Sequence, residues 1–391
     1  MVFTVPSQLL TVGCLPARLC VPTANTGKLC RVSFWNRRSR TVVIGAVPVV
    51  LLVSLIGLPT VPGTDIDLTV PYAAQGKGPT FNTLGEFNGK QVVEIKGENP
   101  DETSGNLNMT TVSVRTNMTL AQALGRWMFS DDVLVPIEQI LPPGQSQEAV
   151  QEKNAVAFAS SESNATISAM NYLKRPTEVM VMQISDDSPA SGEIHINDIV
   201  RKVDGVEITK PDQLAEEVRK HQPGDKIPIT LFRQEREIEN QVELGTIPES
   251  LREKSQDDSV PFLGVTTVAQ PAGDLTVEYN LTDVGGPSAG LMFSLAVVDK
   301  LSPGELSGGR FVAGTGTIDA NGEVGPIGGI AHKIRAAADE GAEVFLVPAD
   351  NCSEAKTAER PEIKLVKVDS LEDAVGDLNA INSGAEPSLC D

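Results

Sequence analysis

Histidine is scarce in this chain, and that scarcity removes two common kinds of hydrolytic chemistry. Only His195, His221 and His332 occur in 391 residues, and no two of them stand four apart on one helix face to hold a zinc ion. A histidine-centred triad is poorly supported for the same reason. Cysteine is nearly as rare, with five residues, of which Cys14, Cys20 and Cys30 match no zinc spacing. No metal or other cofactor is expected. A phosphate-binding loop is missing too: the nearest approach, Gly85, Gly89, Lys90 and Gln91, has the wrong spacing and the wrong last residue. ATP is therefore not an expected partner.

Charge is unevenly placed. The net charge is −20, yet 1–40 holds six basic residues (Arg18, Lys28, Arg31, Arg37, Arg38, Arg40) and no acidic one, which leaves −26 on the remainder. An acidic body repels nucleic acid, and no basic stripe follows residue 41, so nucleic acid is not an expected partner either. Between the two halves, 42–61 carries no charge at all. That is about the length of a helix that crosses a bilayer. Basic residues before it and Asp65 and Asp67 after it point the N-terminus to the cytoplasm and the rest outside. A cleaved signal peptide fits less well, because the basic region is long for one and Ala73-Ala74 lies too far downstream. The expectation is a single-pass protein of the cell membrane, with a disordered cytoplasmic tail over 1–40 and a transmembrane helix over 41–62 kinked at Pro48. Cys352 and Cys390 then lie on the outer side, where an oxidising space permits pairing without the sequence deciding it.

With 40% hydrophobic and 21% charged residues, the rest of the chain builds ordinary cores. Region 63–174 mixes short strand-like pieces (92–95, 110–114) with helical ones (119–129, 145–172) and carries no chemical motif, so it reads as an α/β connecting region. Region 175–247 is more legible. It predicts a strand at 178–184, then strands 199–203 and 206–208 flanking Asp204-Gly205, a strong hairpin signal. Pro211 opens a helix over 212–221 that ends before Pro223-Gly224, and strands 226–232 and 238–244 follow.

Chemistry concentrates in 255–380. Segment 289–298 is apolar on every side apart from Ser294, which predicts a buried helix. Pro287 suits the start of such a helix, and Ser288 stands at its N-terminal end, where free N–H groups of Gly286, Ala289 and their neighbours face a developing oxyanion. Taken alone, Ser288 reads better as an ordinary helix cap. Lys333 separates the readings. It sits in the first turn of a second helix, after Gly328-Gly329, where a cation opposes the helix dipole. Ile330, Ile334 and Ala337 define that helix's apolar stripe, and Lys333 lies at its margin. Burial and dipole both favour the neutral amine, the form a lysine base needs near neutral pH. His332 is the nearest rival base. Residues 381–391 are expected to be flexible.

Two resemblances follow from these residues. Ser188-Pro189-Ala190, Asn197-Asp198-Ile199-Val200 and Val203-Asp204-Gly205 resemble the PDZ domains of bacterial periplasmic and membrane proteases. The resemblance implies a peptide-binding groove between strand 178–184 and helix 212–221. Gly286-Pro287-Ser288-Ala289-Gly290, Ala313-Gly314-Thr315-Gly316 and Gly322-Glu323-Val324-Gly325-Pro326-Ile327-Gly328-Gly329 with Lys333 closely resemble the proteolytic domain of the Lon family. That resemblance implies a serine endopeptidase with Ser288 as nucleophile, Lys333 as general base and Thr315 orienting the lysine. It also implies protein or peptide substrates and a homo-oligomeric ring. Gly285 and Thr317 depart from the acidic residues common at those places in the family. The whole layout is similar to membrane-anchored, PDZ-containing Lon-like proteases, an α+β multidomain chain. The alternative is a non-proteolytic membrane adaptor that binds peptide ends through the PDZ-like groove.

Overall fold

The computed structural model describes residues 37–185, 188–248, 260–282, 284–358 and 362–390. Cys14, Cys20, Cys30 and Asp283 lie outside them. Arg37–Gly57 forms a helix of 21 residues with Pro48 inside it. Its apolar part begins at Val42, giving about 24 Å of length at roughly 1.5 Å per residue, short of the roughly 30 Å of a bilayer core. Beyond it Thr60 bridges to Asp67 and Leu68 N–H donates to Pro59 O, so 58–61 leave the helix. The expectation of a transmembrane helix over 41–62 is not met. No helix among the described residues is long and apolar enough to cross a membrane.

Residues 56–391 form one compact unit built on a six-stranded sheet. The order is Lys364–Val368, Val344–Pro348, Phe311–Gly314, Asn106–Arg115, Tyr72–Asn82 and Val133–Pro136. The first four run parallel and the last two pairings are antiparallel. Strand Val344–Pro348 is buried at every position, as a central parallel strand with both faces covered must be. Its side chains alternate between two cores: Val344 and Leu346 pack with Leu291, Phe293 and Leu295 on one face, Phe345 and Val347 with Ile330 and Ile334 on the other. Helix Gly290–Leu301 is buried along its whole length, matching its all-round apolar sequence. It is sandwiched between the sheet and helices Gln147–Tyr172 and Leu371–Ser383.

Half of that sheet comes from region 63–174, which corrects its reading as a connector. Three of the six strands and helix Gln147–Tyr172 belong to it, and Val93–Lys96 pairs with Thr276–Tyr279 from beyond the PDZ-like unit. The C-terminus is likewise not free. Lys367 N–H donates to Ser388 O, Cys390 N–H to Leu365 O, and Cys390 is disulfide-bonded to Cys352. The tail thus covers the outer edge of strand Lys364–Val368, an edge otherwise open to pairing.

The PDZ-like unit is an insertion in this fold, with its own core around Val179, Val200, Ile229 and Leu231. Its sheet runs Arg236–Glu243, Lys226–Arg233, Ile199–Val203, Thr177–Ile184, Val265–Pro271. Asp204 and Gly205 both have positive φ, 47° and 81°, as the hairpin turn requires. The expected groove needs correction. Thr177–Ile184 is an interior strand, paired on one side with Ile199–Val203 and on the other with Val265–Pro271, so no peptide can add to it. The edge strand is Val265–Pro271, which contacts helix Pro211–Arg219.

Candidate active site

The central strand Phe311–Gly314 ends at Gly314, and elements from opposite faces of the sheet meet at its carboxyl end. This is where crevices form in open parallel sheets, because connections leave there for both faces. From one face comes the turn before helix Gly290–Leu301. Helix Ile330–Asp339 approaches from the other, and Thr315 follows the strand between them.

Lys333 Nζ donates to Ser288 Oγ at 2.8 Å and to Thr315 Oγ1 at 2.8 Å. Thr315 Oγ1 in turn donates to Ser288 O at 3.0 Å, so its one proton and one of its lone pairs are both used. Ser288 O also accepts from Gly316 N–H at 3.0 Å. Lys333 is 2% exposed, and burial pulls its pKa down from 10.5 to about 7. A buried ammonium without a carboxylate is costly, whereas a buried amine between two hydroxyls is not. The neutral amine has a lone pair to accept the Ser288 proton along the same 2.8 Å line.

Ser288 is not a helix cap. The helix begins at Gly290, its cap residue is Ala289, and no side chain caps it. Pro287 therefore lies ahead of the helix rather than in its first turn. Lys333 is fixed by Gly329, which holds the left-handed conformation (φ 69°) as the cap residue. A Cβ there would stand 2.8 Å from Val112 Cγ1, so only glycine lets this helix start against strand Asn106–Arg115. His332 is buried as well, but it is Lys333 that reaches Ser288.

Sequence reasoning missed the contribution of helix Gln147–Tyr172. Gly286 N–H donates to Asn154 O at 2.9 Å, and Ser161 Oγ donates to Pro287 O at 3.0 Å. Gly290 admits this helix: a Cβ there would lie 2.9 Å from Ser161 Oγ and 2.8 Å from Ile318 Cγ2. Nothing in a polar, weakly amphipathic segment points to such a partner; only a hydroxyl in mid-helix hints at one. Ser288 opens onto a cleft of about 850 Å³ lined by Phe81, Met109, Val112, Val150, Val284 and Ile327 among others, with Arg115 and Lys333 as its basic side chains.

Comparison with known proteins places two families on this chain. Residues 280–378 match the family described as the Lon protease (S16) C-terminal proteolytic domain, and 151–244 match the PDZ domain family. The latter match starts inside helix Gln147–Tyr172 and stops short of edge strand Val265–Pro271. An archaeal Lon protease from Methanothermobacter thermautotrophicus is 30% identical over 135 residues, 34% of this chain and 21% of that protein. The Lon protease of Phenylobacterium zucineum is 30% identical over 142 residues, 34% of this chain and 18% of that one. The PDZ domain of an SdrC-like protein from Listeria monocytogenes aligns with 23% of this chain and 86% of its own, at 22% identity and a TM-score of 0.20. The chain spans about a fifth of the length of the curated relatives it matches. Within the chain, the match to the peptidase domain spans Ser288 and Lys333 and follows the match to the PDZ domain.

Proposed function

We propose that this chain is a serine endopeptidase in which Ser288 is the nucleophile and Lys333 the general base. The observation that carries this reading is a buried lysine amine 2.8 Å from Ser288 Oγ with its pKa drawn to about 7. Ser288 Oγ attacks the carbonyl carbon of the scissile bond while its proton passes to Lys333 Nζ. The tetrahedral intermediate collapses, the C–N bond breaks, and Lys333 returns the proton to the leaving amine. Water then attacks the acyl ester, gives its proton to Lys333, and releases the acid as Ser288 Oγ is reprotonated. Thr315 keeps the amine on line by accepting from Lys333 Nζ. The Ser288 and Ala289 N–H groups are the donors proposed for the developing oxyanion; the Gly286 N–H expected to join them is spent on Asn154 O, and Pro287 has none.

The substrates are flexible or misfolded proteins, cleaved without ATP, since the chain carries no phosphate loop to couple hydrolysis to unfolding. The compartment is extracytoplasmic. Supporting this are the step from a basic tail to an acidic body across 42–61 and the Cys352–Cys390 disulfide, a bond that persists in oxidising spaces. Attachment to the cell membrane through 42–61 rests on the sequence and has to contend with a helix that ends at Gly57. A homo-oligomeric ring is part of the same proposal. The test is cleavage of an unstructured protein by the full chain in nucleotide-free buffer. Activity is expected, and its loss in both Ser288→Ala and Lys333→Ala. Cleavage unchanged in either variant sinks the assignment.

A further inference from the structure

Helix Gln147–Tyr172 touches the serine turn at two places one face apart. Asn154 O takes the Gly286 N–H, and Ser161 Oγ donates to Pro287 O; positions seven apart lie on the same side of a helix. Ser161 is 2% exposed. A serine in mid-helix ordinarily returns its hydroxyl to its own helix, as Ser294 does to Gly290 O at 3.0 Å. Ser161 instead spends its proton on another element.

The consequence lies in the peptide plane. In a trans peptide the C=O and the following N–H point in opposite directions, and no cis bond occurs among the described residues. Pinning Pro287 O to Ser161 therefore turns the Ser288 N–H away from the helix. The next plane is pinned in the same manner, since Ser288 O is held by Thr315 Oγ1 and Gly316 N–H, which turns the Ala289 N–H away from them. Two successive amides are aimed by what holds their carbonyl partners. Donors fixed before the reaction stabilise an oxyanion without reorganising at the moment charge develops. Of the side chains that hold these planes, Ser161 is the one outside the Ser288–Thr315–Lys333 chain of hydrogen bonds.

We propose that Ser161 is a positioning residue that aims the Ser288 amide at the oxyanion; the proposal rests on Ser288 being the nucleophile. Ser161→Ala, folded as judged by thermal unfolding, is expected to lower kcat for a short peptide by about tenfold to a hundredfold, less than the hundred- to thousandfold of deleting a donor outright. KM is expected to stay put. Affinity for a peptide boronate, which forms a tetrahedral adduct on a serine oxygen, is expected to fall by the same factor as kcat/KM. Ser161→Thr, which keeps the hydroxyl, is expected to restore kcat and boronate affinity. Should Ser161→Ala not fold, Ser161→Cys fills the space with a somewhat larger atom and only a weak donor and carries the same expectations. A wild-type kcat, a rise in KM alone, or unchanged boronate affinity overturns the proposal. Cleavage that survives Ser288→Ala refutes the nucleophile itself, whereas a dead Ser288→Ala beside a fully active Ser161→Ala refutes only the role of Ser161.

Discussion

A buried lysine amine held between two hydroxyls has measurable signatures in both activity and stability. Lys333 must be neutral to accept the Ser288 proton, so kcat/KM is expected to climb with pH and pass half its maximum near 7. A profile recorded from pH 5 to 9 with a peptide substrate checks this; a flat profile below pH 8 contradicts it. Lys333→Arg is expected to abolish activity, because a guanidinium does not deprotonate in proteins. The stability consequence has the opposite use. Between about 7 and 10.5 the unfolded lysine binds a proton that the native one does not, so this residue's contribution improves as pH rises through that window and is most unfavourable below it. Lys333→Met is therefore expected to raise Tm by several degrees at pH 7 and by less at pH 10. Thr315→Val, which removes the hydroxyl between Lys333 and Ser288 O, is expected to cost kcat about tenfold or more while Thr315→Ser costs little.

Elements position these residues through close approaches that tolerate no extra atom. Gly290→Ala would put a Cβ 2.8 Å from Ile318 Cγ2 and 3.1 Å from Ile318 N. It is expected to destabilise by about 1–3 kcal/mol and to lower activity by moving the serine turn, readable as a drop in Tm with a matching drop in kcat. The tail offers a separate handle. The Cys352–Cys390 bond closes a loop with a sequence separation of 38, and its reduction is expected to cost about 2–4 kcal/mol, seen as a lower Tm in reductant that Cys352→Ser reproduces. Most of these elements are legible in the sequence. Asp204-Gly205, Pro211 and the apolar run 289–298 each state a local preference that the fold obeys, with helix Gly290–Leu301 and hairpin strands Ile199–Val203 and Val206–Glu207 as the outcome. Val265–Pro271 is not legible as part of the PDZ-like unit, because strand pairing across a long gap leaves no local trace. Its capture by Thr177–Ile184 is what moved the free edge.

At the scale of the molecule, the PDZ-like unit is a detachable insertion. Its first and last strands pair Thr177 with Pro271, and Ala272 N–H donates to Pro176 O at 3.1 Å, so the chain leaves and re-enters the larger sheet at neighbouring points. Replacing 177–271 by a two-residue turn is expected to leave a folded unit that still cleaves short peptides in a Ser288-dependent manner, while protein substrates that rely on the PDZ-like edge are cleaved more slowly. Circular dichroism and peptide kinetics decide it, and a chain that fails to fold after this excision shows the insertion to be part of the larger core.

The sequence by itself determined the chemistry on offer: a serine after glycine and proline, a lysine set against its own helix dipole, a threonine block between them, and too few histidines for the alternatives. Those are statements about residue types and short spacings, and local physics suffices to make them. Only the tertiary structure decided that Lys333 Nζ lies 2.8 Å from Ser288 Oγ, that region 63–174 supplies half the sheet beneath them, that Ser161 reaches the turn from a helix 126 positions away, and that the helix after residue 37 stops at Gly57. These depend on packing between segments far apart in the chain, where the energy of a contact is shared by partners that neither segment encodes alone.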